Sequence, residues 1–256
     1  MLRAVALASG SNGNSVWVET ADFAFLVDAG LSGRALAARA AEHGIDLGRA
    51  GALLVTHDHS DHVCGAGVLH RRHGLPLLMT RGTLRAVRAR IGKVAGVGTF
   101  GAGETLRFGR TTVWTVPTPH DGVEGVCVVV EADGARLGVL TDLGHPFPEL
   151  VDLMPTLDAA FLEANYDPDL LARGPYPPEL KARIAGPGGH LSNPECVRLA
   201  GEGAGGRLRT LVLSHLSGEN NRPELALAAA RSLGTRGLRV ELAPRDATSP
   251  LVRIGE

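Results

Sequence analysis

The sequence contains few cysteines and few aromatic residues, and each shortage argues against a class of protein. Cys64, Cys127 and Cys196 are odd in number, far apart and never arranged as C-x-x-C. This pattern argues against a disulfide framework, which needs paired cysteines at regular spacing. Aromatic residues make up only 4% of the chain, which argues against a base-stacking platform as the main binding device.

A strong net charge and long apolar runs are also missing. The formal net charge is −1, so any polyanion must be held by a local patch rather than by the molecule as a whole. No apolar run reaches 18 residues, and the first residues show no signal-peptide pattern. We therefore expect a cytoplasmic protein without membrane association, whose oligomeric state the sequence leaves open.

Short apolar segments alternate with Ala/Leu-rich segments, which predicts strands and helices in two successive groups. No Pro- or Ser-rich linker divides the groups, so we expect one domain over residues 1–256 in which two packed sheets carry helices outside. A hairpin turn is predicted at 132–135. The predicted strands are 3–8, 15–19, 23–28, 52–55, 76–79, 104–108, 111–116, 125–131, 136–140, 158–162, 208–213 and 238–242. The predicted helices are 32–42, 61–73, 81–91, 194–201 and 224–233.

The segment T-H-D-H-S-D-H at 56–62 directly follows the apolar stretch 52–55. A buried strand that ends in a polar loop is a usual way to display ligand groups. The spacing suits two adjacent metal ions, with His57 and His59 facing one ion while Asp61 and His62 reach the other. The alternative is a solvated loop that is His-rich by accident, which ten histidines in the whole chain make a poor explanation.

Three further polar residues each follow an apolar strand, as this loop does. They are His120 after 113–119, Asp142 after 137–141 and His215 after 211–214. A single residue at such a place is usually a turn or capping residue. Because all of them share one topological location with the loop 57–62, we expect them to assemble into one site.

The order of these motifs resembles the metallo-β-lactamase superfamily over essentially the whole chain. The resemblance implies an α/β fold, the four-layer αββα sandwich, with two divalent metal ions per chain at one edge. Mixed His/Asp sites accept manganese, zinc and iron, so the metal itself is left open. The implied ligands are His57, His59 and His120 for the first metal, Asp61, His62 and His215 for the second, and Asp142 as a bridge.

Flanking segments at 7–15, 27–33, 189–193 and 214–221 resemble the YycJ/WalJ branch of that superfamily. This branch is similar to RNase Z and phosphodiesterase relatives, and it is associated with 5′-to-3′ exonuclease activity on DNA. Many members read E-S-N-H-D where this chain reads E-A-N-Y-D at 163–167. Any role that depends on the histidine of that motif is therefore not expected here.

His190 lies in a glycine-rich segment, 186–193, just before a predicted helix capped by Asn193 with Pro194 as its first residue. Relatives of the RNase Z type place a histidine in such a segment to protonate the leaving oxygen, oriented by a glutamate. The resemblance thus implies a catalytic pair of His190 and Glu163, and a histidine suits acid catalysis near neutral pH. The alternative is that His190 only caps the helix.

Two segments are candidates for binding substrate phosphate. The loop containing Ser9, Ser11 and Asn12 offers hydroxyls and backbone N–H groups, although such glycine-rich loops are usually only tight turns. Lys181 and Arg183 offer positive charge shortly before His190, although two cations on a polar helix face are ordinary.

These expectations favour a two-metal phosphodiesterase with DNA as its substrate, cutting as a 5′-to-3′ exodeoxyribonuclease. Asp61 would orient the attacking water and His190 would protonate the leaving 3′-oxygen. One alternative is a phosphodiesterase for a small molecule or a cyclic phosphate. Another is a metal-stabilised regulatory or binding protein without turnover, which the complete ligand set and the candidate proton donor disfavour.

Overall fold

The computed structural model describes residues 1–234 and 237–255, which form two seven-stranded β-sheets flanked by helices. The strands are β1 (Leu2–Ala8), β2 (Ser15–Glu19), β3 (Ala24–Val27), β4 (Ala52–Leu54), β5 (Leu77–Thr80), β6 (Gly98–Phe100), β7 (Thr105–Phe108), β8 (Thr111–Pro117), β9 (Val126–Ala132), β10 (Ala135–Leu140), β11 (Ala159–Glu163), β12 (Thr210–Ser214), β13 (Arg239–Leu242) and β14 (Val252–Ile254). The helices are α1 (Gly33–Ala41), α2 (Ser60–Val63), α3 (Ala66–His73), α4 (Arg81–Ile91), α5 (Pro148–Leu153), α6 (Pro168–Arg173), α7 (Pro178–Ile184), α8 (Asn193–Ala204) and α9 (Pro223–Arg231).

Each sheet combines antiparallel and parallel strands. The first sheet has the order β14-β1-β2-β3-β4-β5-β6, and the second has the order β13-β12-β11-β10-β9-β8-β7. Pairing is antiparallel from β1 to β3 and from β7 to β10, and parallel from β3 to β6 and from β10 to β13. The parallel strands of a sheet therefore end at a common edge, which is where loops assemble sites in open α/β sheets.

The two sheets pack face to face, and helices cover both outer faces. In β9 the side chains alternate: Val128 and Val130 lie in the core between the sheets, while Cys127 and Val129 pack under the helices. A strand buried on both faces needs apolar residues at every position, and the sequence V-C-V-V-V meets that need. The four-layer αββα sandwich is thus confirmed. No helix in the described part of the chain is long and apolar enough to cross a membrane.

Two local predictions were wrong. The predicted helix 61–73 is two helices, α2 and α3, separated by Gly65, whose N–H donates to the carbonyl of Ala29. A side chain at position 65 would collide with the backbone oxygen of Leu31. The cap of α8 is Ser192, not Asn193, because its hydroxyl accepts from the N–H of Glu195, whose carboxylate accepts from the N–H of Ser192.

The hairpin turn is confirmed, whereas several short elements were missed. Asp133 and Gly134 both have positive φ, 51° and 79°, as a two-residue hairpin turn requires. The sequence analysis did not predict β6, β14, α5, α6 and α7. Strands of three residues such as β14 are defined by a distant partner, here β1, and not by their own sequence pattern.

Candidate metal centre

Backbone turns at three strand ends position side chains at the candidate site. Asp28, Asp142 and His215 follow β3, β10 and β12, and they have φ of 65°, 57° and 56°. A non-glycine residue in this left-handed region costs roughly 1–3 kcal/mol. Strain of this kind persists where the surrounding structure imposes it, and here it lies at three residues of the same edge.

His57, His59 and His120 bring one ring nitrogen each to within 4.8 Å of one another. The Nδ1 of His59 and the Nε2 of His120 are 3.3 Å apart, and the Nδ1 of His120 donates to the carbonyl of Gly189. The Nε2 of His57 is buried without a hydrogen-bond partner in the described part of the chain. A buried polar atom without a partner is costly, and a metal ion bound to this nitrogen would supply the partner.

Burial keeps two of these rings in the form that binds metals. It lowers the pKa of His57 well below the ordinary 6.5, and it also lowers the pKa of His59. A neutral imidazole presents a lone pair to a cation, whereas a protonated ring does not. His57 and His59 therefore fit a metal site without first losing protons.

Asp61, His62 and His215 form a second group whose ligand atoms also lie within 4.8 Å of one another. Asp142 lies between the two groups: its carboxylate is 3.0 Å from His62 Nε2, 3.4 Å from His215 Nε2 and 3.6 Å from His120 Nε2. Burial by itself raises the pKa of Asp142, but His215 and His62 more than offset it and hold the pKa well below 3.8. Asp142 is therefore a buried carboxylate in contact with both groups.

The surroundings of His62 also favour a cation between its ring and Asp142. Burial lowers its pKa, but the carboxylates of Asp142 and Asp28 more than offset this and raise the pKa well above 6.5. Its Nδ1 donates to Asp28 at 2.7 Å, so its Nε2 is the atom that faces Asp142. A proton or a metal ion between the ring and the carboxylate stabilises this arrangement.

Two orienting residues were missed by the sequence analysis. Besides holding His62, Asp28 accepts from the N–H and the hydroxyl of Thr56. The amide oxygen of Asn14 accepts from the N–H of Gly10, and it lies 3.0 Å from His215 Nδ1. Because this oxygen only accepts, His215 carries its proton on Nδ1 and leaves Nε2 free for the cleft. Asp28 could have been found from its strand-end position, whereas Asn14 gave no such signal.

The predicted pair of His190 and Glu163 is in direct contact. His190 Nδ1 donates to Glu163 Oε1 at 2.6 Å, and Oε2 of the fully buried Glu163 accepts from the N–H of Leu143. Burial lowers the pKa of His190, but Glu163 more than offsets it, so that the pKa rises to about 9. His190 does not cap α8, since Ser192 does so.

The predicted phosphate-binding loop contributes one residue to the cleft. Ser11 lines this cavity of about 170 Å³ together with His59, Asp61 and His190. The hydroxyl of Ser9 instead accepts from the N–H of His215 in a buried position. Asn12 is exposed and lies outside the lining.

The two predicted cations behave differently. Arg183 lines the cleft and donates to Asp121 Oδ2 at 2.6 Å. Lys181 does not line it, because its amine donates to the carbonyl of Ala172. Asp121, which the sequence analysis missed, also lies 3.3 Å from His59 Nε2. It joins the arginine to the histidine cluster.

The chain is similar to known proteins in sequence and in fold. The family model for the beta-lactamase superfamily domain matches residues 24–216. The exodeoxyribonuclease WalJ of Streptococcus pneumoniae (strain D39) is 37% identical over 224 residues, which cover 86% of this chain and 83% of that protein. The exodeoxyribonuclease YycJ of Bacillus anthracis is 32% identical over 237 residues, which cover 91% of this chain and 90% of that protein.

A solved structure agrees with the fold. The metallo-beta-lactamase fold protein YhfI from Bacillus subtilis superposes with a TM-score of 0.77 at 16% identity, covering 99% of this chain and 100% of that chain. At 16% identity this likeness concerns the fold alone. The family is shown by the family match and by the two sequence relatives. The chain belongs to the metallo-β-lactamase superfamily.

Proposed function

We propose that this protein is a two-metal phosphodiesterase that degrades DNA from the 5′ end. The main support is the site itself, in which two groups of ligand atoms meet at Asp142 with the His190–Glu163 pair beside them. Two relatives that match most of this chain, at 37% and 32% identity, are named exodeoxyribonucleases. A regulatory protein without turnover would have no use for a half-buried histidine that a buried glutamate holds at the cleft.

The ligands that we propose for the first ion are His57, His59 and His120. Those for the second ion are Asp61, His62 and His215, with Asp142 shared between the ions. Divalent cations bound here supply Lewis acidity to the scissile phosphate and make water nucleophilic at neutral pH. We propose manganese or zinc, with iron also compatible, because imidazole and carboxylate ligands serve all three.

The remaining side chains supply proton transfer and orientation. His190 is held by Glu163 with its second nitrogen free, and we propose that it protonates the departing 3′-oxygen. Asp61, part of the cleft lining, orients the attacking water. Ser11 and Arg183 line the same cleft, and we propose that they contact a phosphate of the strand end.

Metal-reconstituted enzyme on end-labelled single-stranded DNA tests this function. We expect mononucleotides to be released from the 5′ end, with Asp142→Ala as the inactive control. Bis-p-nitrophenyl phosphate and a cyclic nucleotide are assayed in parallel. Release from the 3′ end, or hydrolysis of the cyclic nucleotide without hydrolysis of DNA, would show that the proposal is wrong.

A further inference from the structure

The distribution of charge along the chain is strongly uneven. The chain has 27 acidic residues, yet none of them lies between positions 62 and 103. The same stretch contains seven arginines or lysines. The whole molecule has a formal net charge of −1, so the rest of the chain is acidic overall. This stretch, which includes α3 and α4, is therefore a local positive region.

Three of the four arginines of α4 share one solvent-facing side, and the fourth, Arg90, lies on the opposite side of the helix. Arg81, Arg85 and Arg88 follow the spacing i, i+4, i+7, which at 100° per residue places them within an arc of about 60°. All three are exposed, as is Lys93 just beyond the helix, whereas Val87 and Ile91 are buried. Among the described residues, no carboxylate lies within 4.0 Å of these four cations. We call these four residues the basic face.

The helix that carries the basic face lies beside the metal-binding loop. At its first turn, the N–H of Gly82 donates to the carboxylate of Glu124. The preceding residue, Val123, donates its N–H to Asp58 Oδ1. Near the end of the helix, Arg90 is 3.6 Å from Asp58 Oδ2. Since Asp58 stands between His57 and His59 in the sequence, both ends of α4 are tied to the edge of the candidate metal centre.

We propose that the basic face binds the phosphate backbone of a DNA strand whose end occupies the cleft. This inference rests on the proposed function. The cleft, about 170 Å³, is too small for more than the reacting end, so the rest of a polymer must lie outside it. The helix is about 16 Å long at 1.5 Å per residue, and unpaired arginines along it match a polyanion.

The contact is with the backbone and not with the bases. Binding that does not depend on sequence relies on phosphate contacts, on stacking, or on both. The only aromatic residue between positions 62 and 103 is Phe100, which is buried. Stacking is thus absent from this surface, and we expect affinity that falls steeply with salt and varies little with base sequence.

The test compares two triple variants of the metal-loaded enzyme with the same change in charge. One is Arg81→Gln with Arg85→Gln and Arg88→Gln. The control is Arg198→Gln with Arg231→Gln and Arg253→Gln, exposed residues on α8, α9 and β14. Binding to a labelled single strand with phosphorothioate linkages is measured by fluorescence anisotropy over a salt series. Turnover is measured on natural DNA and on bis-p-nitrophenyl phosphate.

The α4 variant should bind the strand about tenfold more weakly at low salt. Its plot of log K against log salt should be shallower by about 2, since each single-strand phosphate contact contributes about 0.7. Its KM on DNA should rise while kcat on the small ester stays unchanged, and the control should match the wild type.

Equal binding by the two variants, or no DNA binding by the wild type, would overturn the proposal. Preferential binding of polyglutamate would also overturn it, because the partner would then be an acidic protein. Failure of the proposed function is a separate result. DNA that is bound through the basic face but never hydrolysed would refute the nuclease activity and leave the binding surface intact.

Discussion

Replacing Glu163 with glutamine tests whether His190 delivers a proton during catalysis. Glu163 Oε1 accepts from His190 Nδ1 at 2.6 Å, and this carboxylate offsets burial and raises the pKa of His190 to about 9. Glutamine keeps the volume of the side chain and an oxygen that accepts from the N–H of Leu143, but it carries no charge. Burial is then opposed only by the smaller effects of Asp142 and Asp61, and the pKa of His190 falls toward the ordinary 6.5.

The change in the pKa of His190 sets the direction and the size of the change in kcat. A general acid works in its protonated form, which persists in the wild type until the pH passes about 9. In Glu163→Gln that form is lost above about 6.5, so the alkaline limb of kcat moves down by about 2.5 pH units. At pH 8 the protonated fraction falls from about 0.9 to about 0.03, a loss of about 30-fold in kcat. Bound cations repel the imidazolium in both enzymes, so the difference between the profiles is the quantity to compare.

The assay is the pH dependence of kcat on DNA and on bis-p-nitrophenyl phosphate, with metal content measured for both enzymes. The alkaline limb should move on DNA and not on the ester, because p-nitrophenolate leaves without being protonated. Identical profiles of the two enzymes on DNA would refute the acid role of His190. An equal shift on both substrates, or a loss of metal, would indicate that Glu163 acts on the metal centre instead.

Further predictions concern the metal ligands and the phosphate contacts. Asp142→Ala should leave fewer than two metal ions per chain and abolish hydrolysis, and full metal occupancy measured by elemental analysis would contradict the bridging role. Asn14→Ala should weaken metal binding by about 10–100-fold, because His215 loses the oxygen that fixes its ring; unchanged metal affinity in a chelator titration would argue against this. Arg183→Ala should reduce the preference for 5′-phosphorylated over 5′-hydroxyl DNA by about tenfold, whereas Lys181→Ala should not change it, and equal effects of the two variants would refute this placement of the phosphate contact.

The sequence alone determined the features that depend on neighbouring residues. His57, His59, Asp61 and His62 lie within six positions after an apolar strand, so their assembly needs only one strand and one loop. The continuous apolar run in strands such as β9 likewise predicts burial on both faces without knowledge of any partner. The two groups of strands and helices, and with the resemblance the αββα sandwich, were therefore predictable.

Only the tertiary structure decided which distant side chains meet, because such contacts depend on strand order and on turns that the local sequence does not specify. Asn14 approaches His215 across 201 positions, and Asp121 meets Arg183 across 62. Lys181 and Arg183 are two residues apart on α7, and the turn of the helix directs only Arg183 to the cleft. The left-handed backbone at Asp142 and His215 is likewise set by packing at the sheet edge: aspartate and histidine adopt this conformation more readily than most residues, but the local sequence does not show which of them will.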